Sequence, residues 1–170
     1  RTRMIMFQRL AQKTQGLLLI ALLSSGAAVN ASTGDAEAGQ VKAATCVACH
    51  GVDGNSAVPT FPKLAGLGHK YLLKQMQDIR DGRRPVALMA GQVDNMTDED
   101  LSDIAAFYDA QERSGGMSDP DKVALGRKVY LAGIADRQVP ACSGCHSPTG
   151  NGNSLAGYPS LGGQHAEYIA

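Results

Sequence analysis

The sequence lacks the features that would tie it to nucleic acid or hold it across a bilayer. Of its 16 basic side chains, Arg1, Arg3, Arg9 and Lys13 fall in residues 1–31, which hold no acid, so the remaining 12 stand against all 16 acidic ones. A chain with that net negative balance has no basic patch with which to neutralise phosphates, and nucleic acid is excluded as its partner. No block of like charge is long enough to mark a disordered tail. The apolar run Leu17-Leu18-Leu19-Ile20-Ala21-Leu22-Leu23 falls well short of the roughly 20 residues that a membrane span needs. Strand signals are few, and the chain holds only four cysteines.

What is present begins with that apolar run. Arg9 and Lys13 precede it and Val29-Asn30-Ala31 resembles a small-x-small cleavage site, so residues 1–31 are read as a secretory signal. The alternative is an uncleaved anchor. The chain opens on Arg1, and the expected start is Met4 or Met6.

The rest repeats itself. Cys46-Val47-Ala48-Cys49-His50 returns as Cys142-Ser143-Gly144-Cys145-His146, and Phe61-Pro62-Lys63-Leu64-Ala65-Gly66 as Tyr158-Pro159-Ser160-Leu161-Gly162-Gly163. Tyr71 is matched by Tyr168, and Ala38-Gly39 by Leu125-Gly126 at a smaller shift, which puts an insertion around 132–139 in the second copy. Two units of one kind are expected, at 32–113 and 120–170, joined by a linker at 114–119. Helical signals dominate both. Asp35-Ala36-Glu37 starts a helix that runs into Cys46, with acids in its first turn. Leu72, Leu73, Met76 and Ile79 share one face of a helix over 70–81, which Gly82 stops. Thr97 caps the helix that carries Leu101, Ile104, Ala105 and Tyr108, and Asp119-Pro120 starts another. The chain continues for 40 residues from Tyr71 to Gln111 but ends two residues after Tyr168, so the second unit is expected to be cut short.

All four cysteines belong to the two CxxCH motifs. Disulfides, a Cys₄ zinc site or redox dithiols would use the cysteines but leave a histidine after each pair unexplained. Covalent attachment of haem c explains it. On a helix the positions i, i+3 and i+4 share a face, so Cys46 and Cys49, or Cys142 and Cys145, can bond one haem while His50 or His146 faces its iron. The sixth iron position then decides function. Met76 sits on an apolar helix face, where a methionine packs in a core. Met96 precedes the cap Thr97 and fits a hydrophobic staple against Leu101. Met89 lies in the loop 82–95 and is the expected ligand of the first iron. His69 and His165 fall out of register in the repeat and are read as surface residues near helix starts.

These motifs, with Cys49-His50-Gly51-Val52-Asp53-Gly54-Asn55-Ser56, Tyr71-Leu72-Leu73-Lys74-Gln75, Leu101-Ser102-Asp103-Ile104-Ala105-Ala106-Phe107-Tyr108 and Gly157–His165, resemble the cytochrome c4 family over nearly all of residues 34–170. The resemblance implies an all-α fold of two tandem class I cytochrome c units, the second incomplete. It implies two haem c groups, thioether bonds from Cys46, Cys49, Cys142 and Cys145, and His50, Met89 and His146 as iron ligands. Pro62 and Pro159 match prolines whose carbonyls accept a hydrogen bond from the proximal imidazole. Gly39 and Gly126 match positions where the first helix of a unit packs closely on the last. Gln92 departs from the pattern, standing where many members carry a second methionine. The second distal methionine is expected beyond Tyr168.

The function implied is a periplasmic carrier of single electrons, not an enzyme. Its partners would be redox proteins, a respiratory donor and a membrane terminal oxidase, with no small-molecule substrate. The alternatives are an electron-transfer subunit of a dehydrogenase complex and, against Met89, a di-haem peroxidase. Residues 32–113 carry 8 basic and 12 acidic groups and 114–170 carry 4 of each, so association through the first unit should weaken with salt.

Overall fold

The computed structural model describes residues 34–170, and the expected secretory signal lies outside them. The first half is built by three helical segments around one crossing. Asp35 caps α1 (Ala36–Lys42) by accepting from the backbone N–H of Glu37 and Ala38 at 2.9 and 3.2 Å. The chain then tightens into a 3₁₀ turn at Ala43–Thr45 and enters the short α2 (Val47–His50). Helix α3 (His69–Arg80) ends before Gly82, whose φ of 72° is costly for any residue with a Cβ. A capping box between Thr97 and Asp100 opens α4 (Asp98–Asp109).

Both α1 and α3 pack on α4. Gly39 makes the first of these contacts close. A Cβ there would overlap the Asp103 carbonyl and stand 2.9 Å from the Phe107 Cβ. Lys42 ties the crossing, reaching the Asp103 Oδ2 at 2.6 Å and the Asp100 Oδ1 at 2.8 Å. The other Asp103 oxygen accepts from the Asp35 N–H at 2.7 Å. Lys42 holds the Asp103 carboxyl below the usual carboxylate range, with the Asp35 N–H acting in the same direction. Leu67, Leu72, Ile104, Ala105, Phe107 and Tyr108 are the buried centre of this half, with Met76 and Met96 packed against them.

The second half repeats the opening of the first. Asp119 caps α5 (Pro120–Ala132), which carries its proline in the first turn. The insertion expected around 132–139 is a 3₁₀ turn at Ala135–Arg137 closed by the antiparallel bridge Ile134–Val139. Then come α6 (Ser143–His146) and α7 (Ala166–Ile169). Helix α5 has no buried residue, and a Cβ on Gly126 would meet nothing within 4 Å. The close helix crossing implied at Gly126 is therefore not made among the described residues. Two isolated bridges are the only strand pairing there, and the fold is all-α.

Gly39→Ala should cost about 2 kcal/mol, because a backbone carbonyl cannot yield as a side chain can. Urea unfolding would read this as a lower midpoint, and an unchanged midpoint would show that the α1–α4 crossing can open.

Candidate functional site

Each CxxCH motif forms a single helical turn, α2 and α6, which is too short to hold itself in place. The loop that follows each motif supplies the support. The Gly54 carbonyl accepts from the N–H of Leu64 and Ala65 at 2.7 and 3.3 Å, and the Gly150 carbonyl accepts from Leu161 and Gly162 at 2.7 and 3.0 Å. These paired bonds fold the Pro62 and Pro159 segments back over the motifs.

The result is the same contact twice. His50 Nδ1 lies 2.8 Å from the Pro62 carbonyl oxygen, and His146 Nδ1 lies 2.8 Å from that of Pro159. A carbonyl can only accept, so Nδ1 carries the proton in both rings. The Nε2 lone pair is left for a metal. An aromatic ring stands edge-on to each imidazole, Phe61 at 6.2 Å from His50 and Tyr158 at 5.9 Å from His146. His50 is 7% exposed, and burial lowers its pKa against the opposing effect of the Pro62 bond, which keeps the ring neutral for ligation.

A cavity of about 370 Å³ opens beside the first motif. Its wall brings together Cys46, Cys49, His50, Pro62, Met76 and Met89, with Leu67, Leu72, Ile79, Val93 and Ile104 making it largely apolar. The Tyr108 hydroxyl, on the same wall, is buried without a hydrogen-bond partner. An apolar slot with two thiols, a neutral imidazole and a thioether around it suits a flat, apolar, covalently held iron macrocycle. Among the described residues no cluster of His, Cys, Asp and Glu is arranged to hold a bare metal ion.

Each expected residue can be placed. Cys46, Cys49, His50 and Met89 line one cavity, and Cys142, Cys145 and His146 are grouped on and beside α6. Met89 ends a 3₁₀ turn at Ala87–Met89 within the loop. Met76 reaches the same wall while also packing on the core, whereas Met96 packs on the core alone. His69 and His165 do not line the cavity. His165 is not a free surface group, however. It is half-buried, with Nε2 at 3.0 Å from the Ser56 carbonyl oxygen.

Sequence reasoning missed the residues that cross between halves. Tyr168 comes from the second half yet lines the first cavity, where its hydroxyl accepts from Arg84 at 3.0 Å. Burial, with Tyr168 beside it, pushes the Tyr71 hydroxyl up to about 12, so Tyr71 is a neutral phenol. The Arg113 guanidinium donates to the carbonyls of Ala65, Ser160 and Gly162 at 2.7, 3.0 and 3.1 Å, joining the two proximal loops. The equivalence of Tyr71 and Tyr168 in the repeat was the one signal that could have pointed to a contact between them.

A doubled CxxCH site with a proline-held imidazole, on an all-α frame, defines a di-haem c-type cytochrome that transfers electrons. Residues 36–109 match the family model described as Cytochrome c. Cytochrome c4 of Pseudomonas aeruginosa is 57% identical over 139 residues, covering 82% of this chain and 69% of that protein. The crystal structure of reduced recombinant cytochrome c4 from Pseudomonas stutzeri superposes with a TM-score of 0.77 at 54% identity, over 79% of this chain and 76% of that one. A thiosulfate dehydrogenase electron acceptor of Stutzerimonas stutzeri is 35% identical over 137 residues, 75% of this chain and 60% of that protein. The chain belongs to the cytochrome c4 family.

Replacing Cys46 and Cys49 together by Ser should leave a protein with one covalent haem, and replacing Cys142 and Cys145 should do the same for the other site. Intact mass after denaturation counts the haems. Two retained in either variant would overturn the assignment of the motifs.

Proposed function

We propose that this protein is a periplasmic shuttle that carries single electrons from a respiratory donor to a membrane terminal oxidase and performs no bond chemistry on a substrate. Units 32–113 and 120–170, joined by 114–119, would each hold one haem. Bound haem c supplies one-electron oxidation and reduction at its iron. The protein's residues do the rest. Cys46, Cys49, Cys142 and Cys145 hold the two groups by thioether bonds. His50 and His146 present Nε2 to the irons, oriented by the Pro62 and Pro159 carbonyls. Met89 would supply a thioether ligand to the first iron.

The observation that carries this reading is that His50 and Met89 line the same apolar cavity. With both residues as ligands the iron would exchange electrons without binding substrate, and a Met/His pair would raise its potential. Arg84 brings positive charge to the same wall, which further favours the reduced state. Among the described residues no helix is long and apolar enough to cross a membrane. Export by an N-terminal signal would account for residues 1–31.

Similarity to a thiosulfate dehydrogenase electron acceptor supports a second reading, in which the chain is the electron-accepting partner of a dehydrogenase. Gel filtration of the native protein separates the two, since a stable large complex would sink the free shuttle.

Met89→Ala should open the first iron. The reduced variant is expected to bind carbon monoxide at one haem, with a lower potential there, while the wild-type protein binds none at that site. A Met89→Ala protein that still excludes carbon monoxide would move ligation to Met76.

A further inference from the structure

One hydrogen-bond chain runs from the second half of the molecule to the proximal ring of the first. The Gln164 side chain clasps the backbone of Lys63. Its Oε1 accepts from the Lys63 N–H at 2.9 Å, and its Nε2 donates to the Lys63 carbonyl at 2.8 Å. Oε1 also accepts from the N–H of His165 at 2.9 Å, so three partners fix which end of the amide is oxygen. The Lys63 N–H belongs to the peptide unit whose carbonyl is that of Pro62. That carbonyl accepts from His50 Nδ1 at 2.8 Å. Lys63 is 6% exposed, so water does not compete for the bond.

We propose that Gln164 is a positioning residue for the first haem, setting the electron-donating strength of His50 across a single peptide plane. The inference rests on His50 being the iron ligand. An acceptor on the N–H side of a peptide polarises it and makes its carbonyl a stronger acceptor. The Pro62 oxygen then draws the Nδ1 proton further, the imidazole gains anionic character, and the oxidised iron is favoured. Gln164 therefore lowers the first potential. The second site shows no equivalent among the described residues. Gln164 aligns with Leu67 in the repeat, and among the described residues no acceptor meets the Ser160 N–H on the peptide that holds His146. The two haems sit in copies of one fold, and this contact makes them unequal.

The test is a redox titration, resolved by haem, of the full-length two-haem protein and of Gln164→Leu and Gln164→Glu. Leu removes the acceptor at nearly constant volume, and Glu keeps an acceptor and adds charge. The expected result is a rise in the first potential in Gln164→Leu, read as a fall of about threefold in the oxidised-to-reduced ratio at a given ambient potential, or about 28 mV at 59 mV per tenfold for one electron. Gln164→Glu should shift it down, and the second potential should stay put in both. The Nδ1–H resonance of His50 in the oxidised protein should move in step. A fall in both potentials in Gln164→Leu would mean that the variant only loosens the contact between halves and admits water, and would overturn the proposal. So would an unchanged first potential. If the His50 resonance shows no paramagnetic shift in the wild-type protein, the ligand assignment fails instead, which is a separate outcome.

Discussion

The hydrogen bond from an imidazole Nδ1 to a proline carbonyl is the constraint on which both sites depend. A neutral histidine has one donor and one acceptor, and committing the donor to Pro62 or Pro159 leaves the acceptor nitrogen only one direction in which to point. The motif turn is four residues long in both halves and carries no stability of its own. Its geometry is set from the loop side, by the carbonyls of Gly54 and Gly150 that each gather two N–H groups. These glycines have φ values of 76° and 79°, a conformation that other residues adopt at a cost. In the first half, the N–H of Gly66 also donates to the Tyr108 carbonyl at 2.8 Å, which ties the loop to the end of α4 and so to the α1–α4 crossing. A disturbance at Gly39 can therefore reach His50 through packed elements.

Directional bonds to backbone groups run between the two halves. Arg113, Gln164 and His165 all bond to loops that follow a CxxCH motif, and Lys63, in one of those loops, bonds to the linker at Ser114. Lys63 Nζ reaches the Ser114 hydroxyl at 2.9 Å, and Asn55 takes the Ser114 N–H at 2.8 Å, so the expected linker is bound at its start to the first half. Bonds of this kind add little net stability each, because water would satisfy the same groups. What they supply is register. The two proximal loops are held at one mutual orientation, which an apolar contact of the same size would fix less sharply.

How far the sequence could be read follows from range. The CxxCH turns, the capping box at Thr97, the Asp119-Pro120 start and the Gly82 stop are local patterns, and each appears where periodicity and capping place it. The repeat matched Pro62 to Pro159, the family resemblance implied a role for their carbonyls, and both carbonyls make the same contact. The repeat failed where the halves differ. His165 and His69 fall out of register and neither lines the cavity, yet the same argument hid the bond from His165 to Ser56 over 109 positions. Gln164 has Leu67 opposite it in the repeat, so symmetry gave no reason to single it out. Cross-unit side-chain contacts have no period and no spacing rule, and only the folded chain brings them together.

Met89 and Met76 show the same limit at the cavity itself. Both thioethers reach the wall. The difference lies in what else each does. Met76 is on α3 and packs against the buried cluster with Leu72, Ile104 and Phe107, so drawing its sulfur toward an iron would open space in a close-packed interior. Met89 belongs to a short turn outside that cluster, between Pro85 and Gly91, where the backbone can set the sulfur without disturbing the core. A ligand that must remain bound through changes in iron charge is better carried by a loop whose position is independent of the core than by a residue the core already uses. Packing therefore favours Met89 over Met76 as the proposed ligand, an assignment that would leave the α3–α4 contact free to act as the rigid wall of the site.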